Sequence, residues 1–209
     1  MLRLQRGDTI IEVLLAITVF SLVSVLAMQI MQQGTNTAQR AVEITLVREE
    51  IDSQAEALRA AHAQYATAVS NGSNTGHLAW AKIAGRVKSS PTALSYDQPT
   101  CPRPGAPTAS IPANAFALDT TLHRSAAVMD ASNWYAAAGS GSGPPYARQV
   151  ANVVSGSVRS YGIWIESRYS AALTPGTPGL YTFRIRSCWD DPGQSAPLTL
   201  ETTVRLYEA

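Results

Sequence analysis

The sequence predicts an α+β fold in which one long N-terminal helix is laid against a C-terminal antiparallel sheet. Residues 10–30 form a strongly apolar run with one charged residue, IIEVLLAITVFSLVSVLAMQI, and residues 44–69 repeat apolar side chains at spacings of three and four. Near the C-terminus, LYTFRIRSCW and LTLETTVRLY alternate apolar with polar residues. The second pattern has the period of a helix face and the third the period of a strand; the first is a helix by its length.

The apolar run is about 21 residues long, and at ~1.5 Å per residue that is enough to cross a hydrocarbon layer of ~30 Å. Arg3 and Arg6 precede it with no balancing acid. That asymmetry puts the short N-terminal tail in the cytoplasm and the bulk of the chain on the other side. A cleaved secretory signal has a shorter apolar region and ends in a small-x-small site, whereas this run ends in MQIMQQ.

No proline follows until Pro91, and Gly34 is the only glycine between Gly7 and Gly72. The helix is therefore expected to continue to about residue 69. Ile44, Val47, Ile51, Ala55, Leu58, His62, Tyr65 and Val69 make its apolar stripe, and Arg40, Glu43, Glu49, Glu50, Asp52, Glu56 and Arg59 its polar face. An amphipathic helix of this kind lays its stripe on a core.

Residues 71–76 read as a turn, and the six prolines from Pro91 to Pro112 read as a long irregular connection. A short helix is expected within residues 114–138, and GSGSGPP at 139–145 reads as an exposed loop. Three strands follow: one near Val158–Glu166, one with Tyr181, Phe183, Ile185 and Trp189 on its apolar face, and one with Leu198, Leu200, Val204 and Leu206. Pro and Gly in the connections SAALTPGTP and DPGQSAP suit chain reversal, so the strands form an antiparallel meander, each half-buried.

Charge and motifs exclude several function classes. Taking Arg3 and Arg6 from the 16 basic residues leaves fewer of them than the 15 acids, so there is no general basic field for a nucleic-acid backbone. His62, His77 and His123 are dispersed, with no HExxH, no nucleophile elbow and no phosphate loop around them, so neither an enzyme nor a cofactor is expected. His62 reads as a core histidine with a hydrogen-bond partner. Asp190 and Asp191 read as a solvated turn rather than a calcium site. Trp134 and Tyr135 are placed in the core, with an exposed recognition patch as the alternative. Cys101 and Cys188 have no metal-like spacing, and a single disulfide between them fits an oxidising exterior, with two unpaired thiols as the alternative. A bond closing their loop of roughly 90 residues would contribute about 4 to 5 kcal/mol in the chain-entropy treatment.

The most informative stretch is Gly7-Asp8-Thr9-Ile10-Ile11-Glu12, preceded by Arg3 and Arg6 and followed by the apolar helix. A carboxylate within a membrane span costs about 2.5 to 3.5 kcal/mol, so Glu12 calls for a partner unless it reaches the interface. These residues resemble the N-terminal signal of type IV prepilins, over about the first 31 positions. The resemblance implies that a membrane-embedded prepilin peptidase cuts between Gly7 and Asp8. The new α-amine would then lie about one turn before Glu12, within reach of a neighbouring subunit's carboxylate, fixing the register of assembly. Family members commonly start the mature chain with an apolar residue that is N-methylated. Here Asp8 takes that place, so a methylated and an unmodified terminus are both open.

The expected organisation is a leader at 1–7, a transmembrane assembly helix at 8–31, its amphipathic continuation at 32–70 and a globular domain at 71–209. The resemblance implies a structural filament subunit, a minor pilin or pseudopilin, in a pilus-like or type II secretion-like assembly. Its partners would be prepilin peptidase, other pilin subunits, the inner-membrane assembly machinery and membrane lipid before assembly. The alternative is a membrane-anchored binding or adhesion protein that never polymerises.

Overall fold

The structure, a computed structural model, describes residues 8–72, 78–89, 115–120, 128–130, 152–154, 157–159, 162–172, 174, 176–189 and 197–208. Two helices, α1 (Asp8–Ser70) and α2 (Leu78–Ser89), precede seven strands: β1 (Phe116–Leu118), β2 (Val128–Asp130), β3 (Asn152–Val154), β4 (Ser157–Arg159), β5 (Ile163–Ser170), β6 (Leu180–Trp189) and β7 (Leu198–Tyr207). The architecture is α+β, with a long N-terminal helix and a C-terminal antiparallel sheet. The chain forms two compact units, Met1–Glu43 and Ile44–Ala209. The first is, in its described residues, helix alone.

The second unit contains the core. Its sheet runs β2-β1-β5-β6-β7 with every neighbouring pair antiparallel, and β3 pairs with β4 as a separate ribbon. The expected meander is β5-β6-β7, where Ile165, Ile185 and Thr202 lie in one cross-strand row. Directly opposed residues point to the same side of a sheet, so one face collects Phe116, Leu118, Ile163, Ile165, Tyr181, Phe183, Ile185, Trp189 and Val204. Val47, Ile51, Ala55, Leu58 and Ala61 of α1 and Trp80, Ile83 and Val87 of α2 join them in one core. Trp80 sits edge-on to Tyr181, with ring centroids 5.2 Å apart.

The stripe on α1 follows the expected residues as far as Tyr65, which is partly buried against the core, and departs from them at Val69. Val69 is 51% exposed, while Ala61 and Ala68 are buried. Gln54, between the expected apolar positions, is fully buried because its amide pairs with β1: Nε2 donates to Leu118 O at 2.8 Å, and Oε1 accepts from Leu118 N at 2.9 Å.

Three other expectations need correction. The stretch expected to hold a short helix carries β1 and β2 instead, since Phe116 and Leu118 are taken up by the sheet edge beside β5. The strand expected near Val158–Glu166 is two, β4 and β5, separated ahead of Ile163 by Gly162 at φ 72°, a left-handed conformation that ends extended chain. Strand β6 is not half-buried: Arg184, Arg186 and Cys188 are as buried as the apolar residues between them. Helix α2 follows the turn at Asn71 and Gly72 and is an element that was not among the expectations, although its Trp80, Ile83 and Val87 have helical spacing.

Candidate functional site: the exposed apolar half of the long helix

The first half of α1 is apolar all round. Within the first unit nothing covers Ile10, Leu14, Phe20, Leu22 or Ile30, which are 58% to 73% exposed. It is long and apolar enough to cross a membrane. Its hydroxyls are consistent with such surroundings: Thr18 Oγ1 donates to Leu15 O at 2.7 Å, and Ser21 and Ser24 donate to Ile17 O and Phe20 O, each at 2.8 Å. Each hydroxyl hydrogen is thereby satisfied within the helix. Glu12 is exposed, and no other charged side chain occurs from Thr9 to Gln39. Patches of exposed apolar surface beyond a few hundred Å² mark contact with lipid or with protein.

Of the other residues singled out by sequence, Asp8 is the first residue of α1. Gly7 and the rest of the expected leader lie outside the described residues, as do Cys101, His77, His123, Trp134, Tyr135, Asp190, Asp191 and the loop at 139–145. Cys188 on β6 is buried and disulfide-bonded. His62 is half-buried, its Nε2 donating to Tyr207 O at 2.7 Å and its ring edge-on to Trp80 at 4.8 Å. It ties α1 to β7.

Two polar clusters were not foreseen. On the second face of the sheet, Arg186 NH1 meets Glu166 Oε1 at 3.2 Å and Arg186 Nε meets Glu201 Oε2 at 3.4 Å, while Arg184 Nε donates to the same Glu201 oxygen at 2.9 Å. Trp164 Nε1 donates to Glu166 Oε1 at 2.9 Å, and the Arg186 guanidinium lies 5.7 Å from the Trp164 ring centroid. The signal was present as opposite charges at facing positions of neighbouring strands: Glu201 opposes Arg186, and Glu166 opposes Arg184. Buried guanidinium and carboxylate groups persist when they neutralise one another, and these do.

The second cluster ties α2 to the end of the chain. Lys88 Nζ is 2.6 Å from Glu208 Oε1, Tyr169 OH donates to Glu208 Oε2 at 2.7 Å, and the ammonium lies 4.7 Å from the Tyr169 ring centroid. The hydrogen bond to Glu208 holds Lys88 well above the ordinary lysine range, and the same bond, with that from Tyr169, lowers Glu208. Gly179 makes room for the cluster, since a Cβ there would stand 2.5 Å from Tyr169 OH. Both clusters brace the domain. Within the first unit, the described residues of the apolar half of α1 form a large uncovered surface.

No family model, no curated protein and no solved structure matches this chain.

Proposed function

We propose that this chain is a filament subunit of the type IV pilin kind, a minor pilin or pseudopilin. In this reading a prepilin peptidase cuts it between Gly7 and Asp8, and the assembly machinery of the inner membrane moves it from lipid into a filament. The observation that carries the proposal is the exposed, all-apolar helix from Ile10 to Met31 with Glu12 as its single charge, continuous in α1 with a stripe that is buried in a domain. Such a helix needs one apolar environment before assembly, which lipid supplies, and another afterwards, which parallel copies of the same helix supply.

Glu12 gives the exchange its register. An isolated carboxylate costs about 2.5 to 3.5 kcal/mol in a span, and the α-amine freed on Asp8 of an adjacent subunit would neutralise it. The carboxylate of Asp8 competes for that amine within its own chain. The disulfide at Cys188 supports an oxidising, extracytoplasmic location for the domain. A cytoplasmic N-terminus follows from Arg3 and Arg6.

The test is N-terminal mass spectrometry on chain recovered from membranes, wild type beside Gly7→Leu. A terminus at Asp8 in the wild type that is lost in the variant is the expected result; a terminus at Met1 in both leaves a plain anchor and ends the proposal. Glu12→Gln should be cleaved normally and yet be depleted from sheared filaments.

A further inference from the structure

Strand β7 is the last strand of its sheet. It pairs with β6 over all ten residues from Leu198 to Tyr207, and among the described residues no strand lies on its other side. Proteins ordinarily blunt so long an edge with proline, lysine, a bulge or very short length. β7 contains no proline, glycine or lysine, and its register against β6 is unbroken. Leu198, Leu200 and Leu206 face the core but are only partly buried, because the sheet ends beside them. One further strand would close over them.

We propose that β7 is an interaction edge that receives the β7 of a second copy of this chain, antiparallel and centred on Thr203. The sequence of the strand is complementary to itself in that register. With Thr203 opposite Thr203, each Glu201 faces an Arg205 of the other copy, each Leu200 faces a Leu206, each Thr202 faces a Val204 and each Thr199 faces a Tyr207. Glu201, Arg205, Thr199 and Tyr207 all lie on the exposed side of β7, while Leu200, Thr202, Val204 and Leu206 lie on the core side, so every pair falls on one face. A slip of one residue would bring leucine opposite charge and reverse the faces. Glu201 already takes Arg184 and Arg186 through Oε2 and faces solvent with 41% of its side chain exposed, so a third arginine, the other copy's Arg205, extends an ion-pair ladder that exists within one chain. A two-fold contact of this kind closes on itself and makes a dimer.

The same two-fold stands perpendicular to the sheet, so it reverses the part of α1 packed on each sheet. Paired copies point their docked helices in opposite directions. The contact therefore joins subunits rooted in separate assemblies rather than neighbours within one parallel bundle. It rests on the domain alone and stands or falls apart from leader cleavage.

The full chain carrying Thr203→Cys, in detergent and treated with the shortest bis-maleimide, should give a covalent dimer of twice the monomer mass. Thr199→Cys should give none, because in this register its two copies are eight residues apart along the strands, about 26 Å at ~3.3 Å per residue. Adding Arg205→Glu to Thr203→Cys should remove the dimer by placing two acids in each facing pair. The proposal is overturned if Thr203→Cys stays monomeric, if Thr199→Cys crosslinks equally, or if Arg205→Glu leaves the dimer intact. The last two results would assign association to the apolar helix in the micelle.

Discussion

The two halves of α1 share a backbone and differ in everything their side chains meet. From Ile10 to Met31 the large aliphatic and aromatic residues are at least half exposed, from Leu26 at 50% to Phe20 at 73%; Val47, Ile51, Ala55, Leu58 and Ala61 are at most 5% exposed. Helix formation therefore does not decide burial. The angular distribution of apolar side chains does: a stripe finds one partner surface, and a helix apolar on every side is satisfied only by surroundings that are apolar on every side.

The sharpest way to break this contrast is to truncate one large side chain in each half. Leu58→Ala removes a fully buried residue from the core and should lower the domain's unfolding free energy by about 2 to 5 kcal/mol. Phe20→Ala should leave it unchanged. Urea unfolding of the full chain in detergent, followed through the buried Trp80, Trp164 and Trp189, checks both.

A smaller effect tests the polar anchor within the stripe. Gln54→Ala leaves the N–H and C=O of Leu118 without their partner and should cost about 1 to 3 kcal/mol by the same measurement. Gln33→Ala, in the exposed half, should cost nothing measurable in the domain.

The smallest effect is one of pH. Glu208 has its folded-state pKa lowered by Lys88 and Tyr169. Its contribution to stability is therefore complete above the unfolded carboxylate's value of 4.5 and is lost as pH falls through the lower folded value. Glu208→Gln should be slightly less stable than wild type at pH 7, and the gap should close on acidification below about pH 4. A gap that persists unchanged in acid would mean that the carboxylate's charge contributes nothing there.

Much of the fold was legible because it depends on short-range periodicity. The stripe from Val47 to Leu58 and the alternation in β6 and β7 are local patterns, and the folded chain keeps their apolar faces on the core, although the polar face of β6 is buried as well. Helix α2 was equally legible, since Trp80, Ile83 and Val87 keep helical spacing, but the prolines that follow masked it. Strands β1 and β2 were not: three residues carry no usable period, and Phe116–Leu118 become a strand because β5 offers an edge. Gln54 has the composition of a surface residue, and only the backbone of Leu118, 64 positions away, makes it a buried one. The proposed assembly site is the reverse case, a run of apolar residues around Glu12 whose meaning comes from the sequence and which the fold leaves uncovered.

By itself the sequence determined where helix and meander would form, which face of each is apolar, and that residues 10–31 need a lipid or protein environment. These follow from side-chain period and hydrophobicity, which act between residues a few positions apart. Tertiary structure alone decided that α2 shares the core, that Arg184 and Arg186 are buried against Glu166 and Glu201, and that β7 is the last strand of its sheet among the described residues. Each of those depends on which distant segments meet, and contact between distant segments is a property of the folded chain.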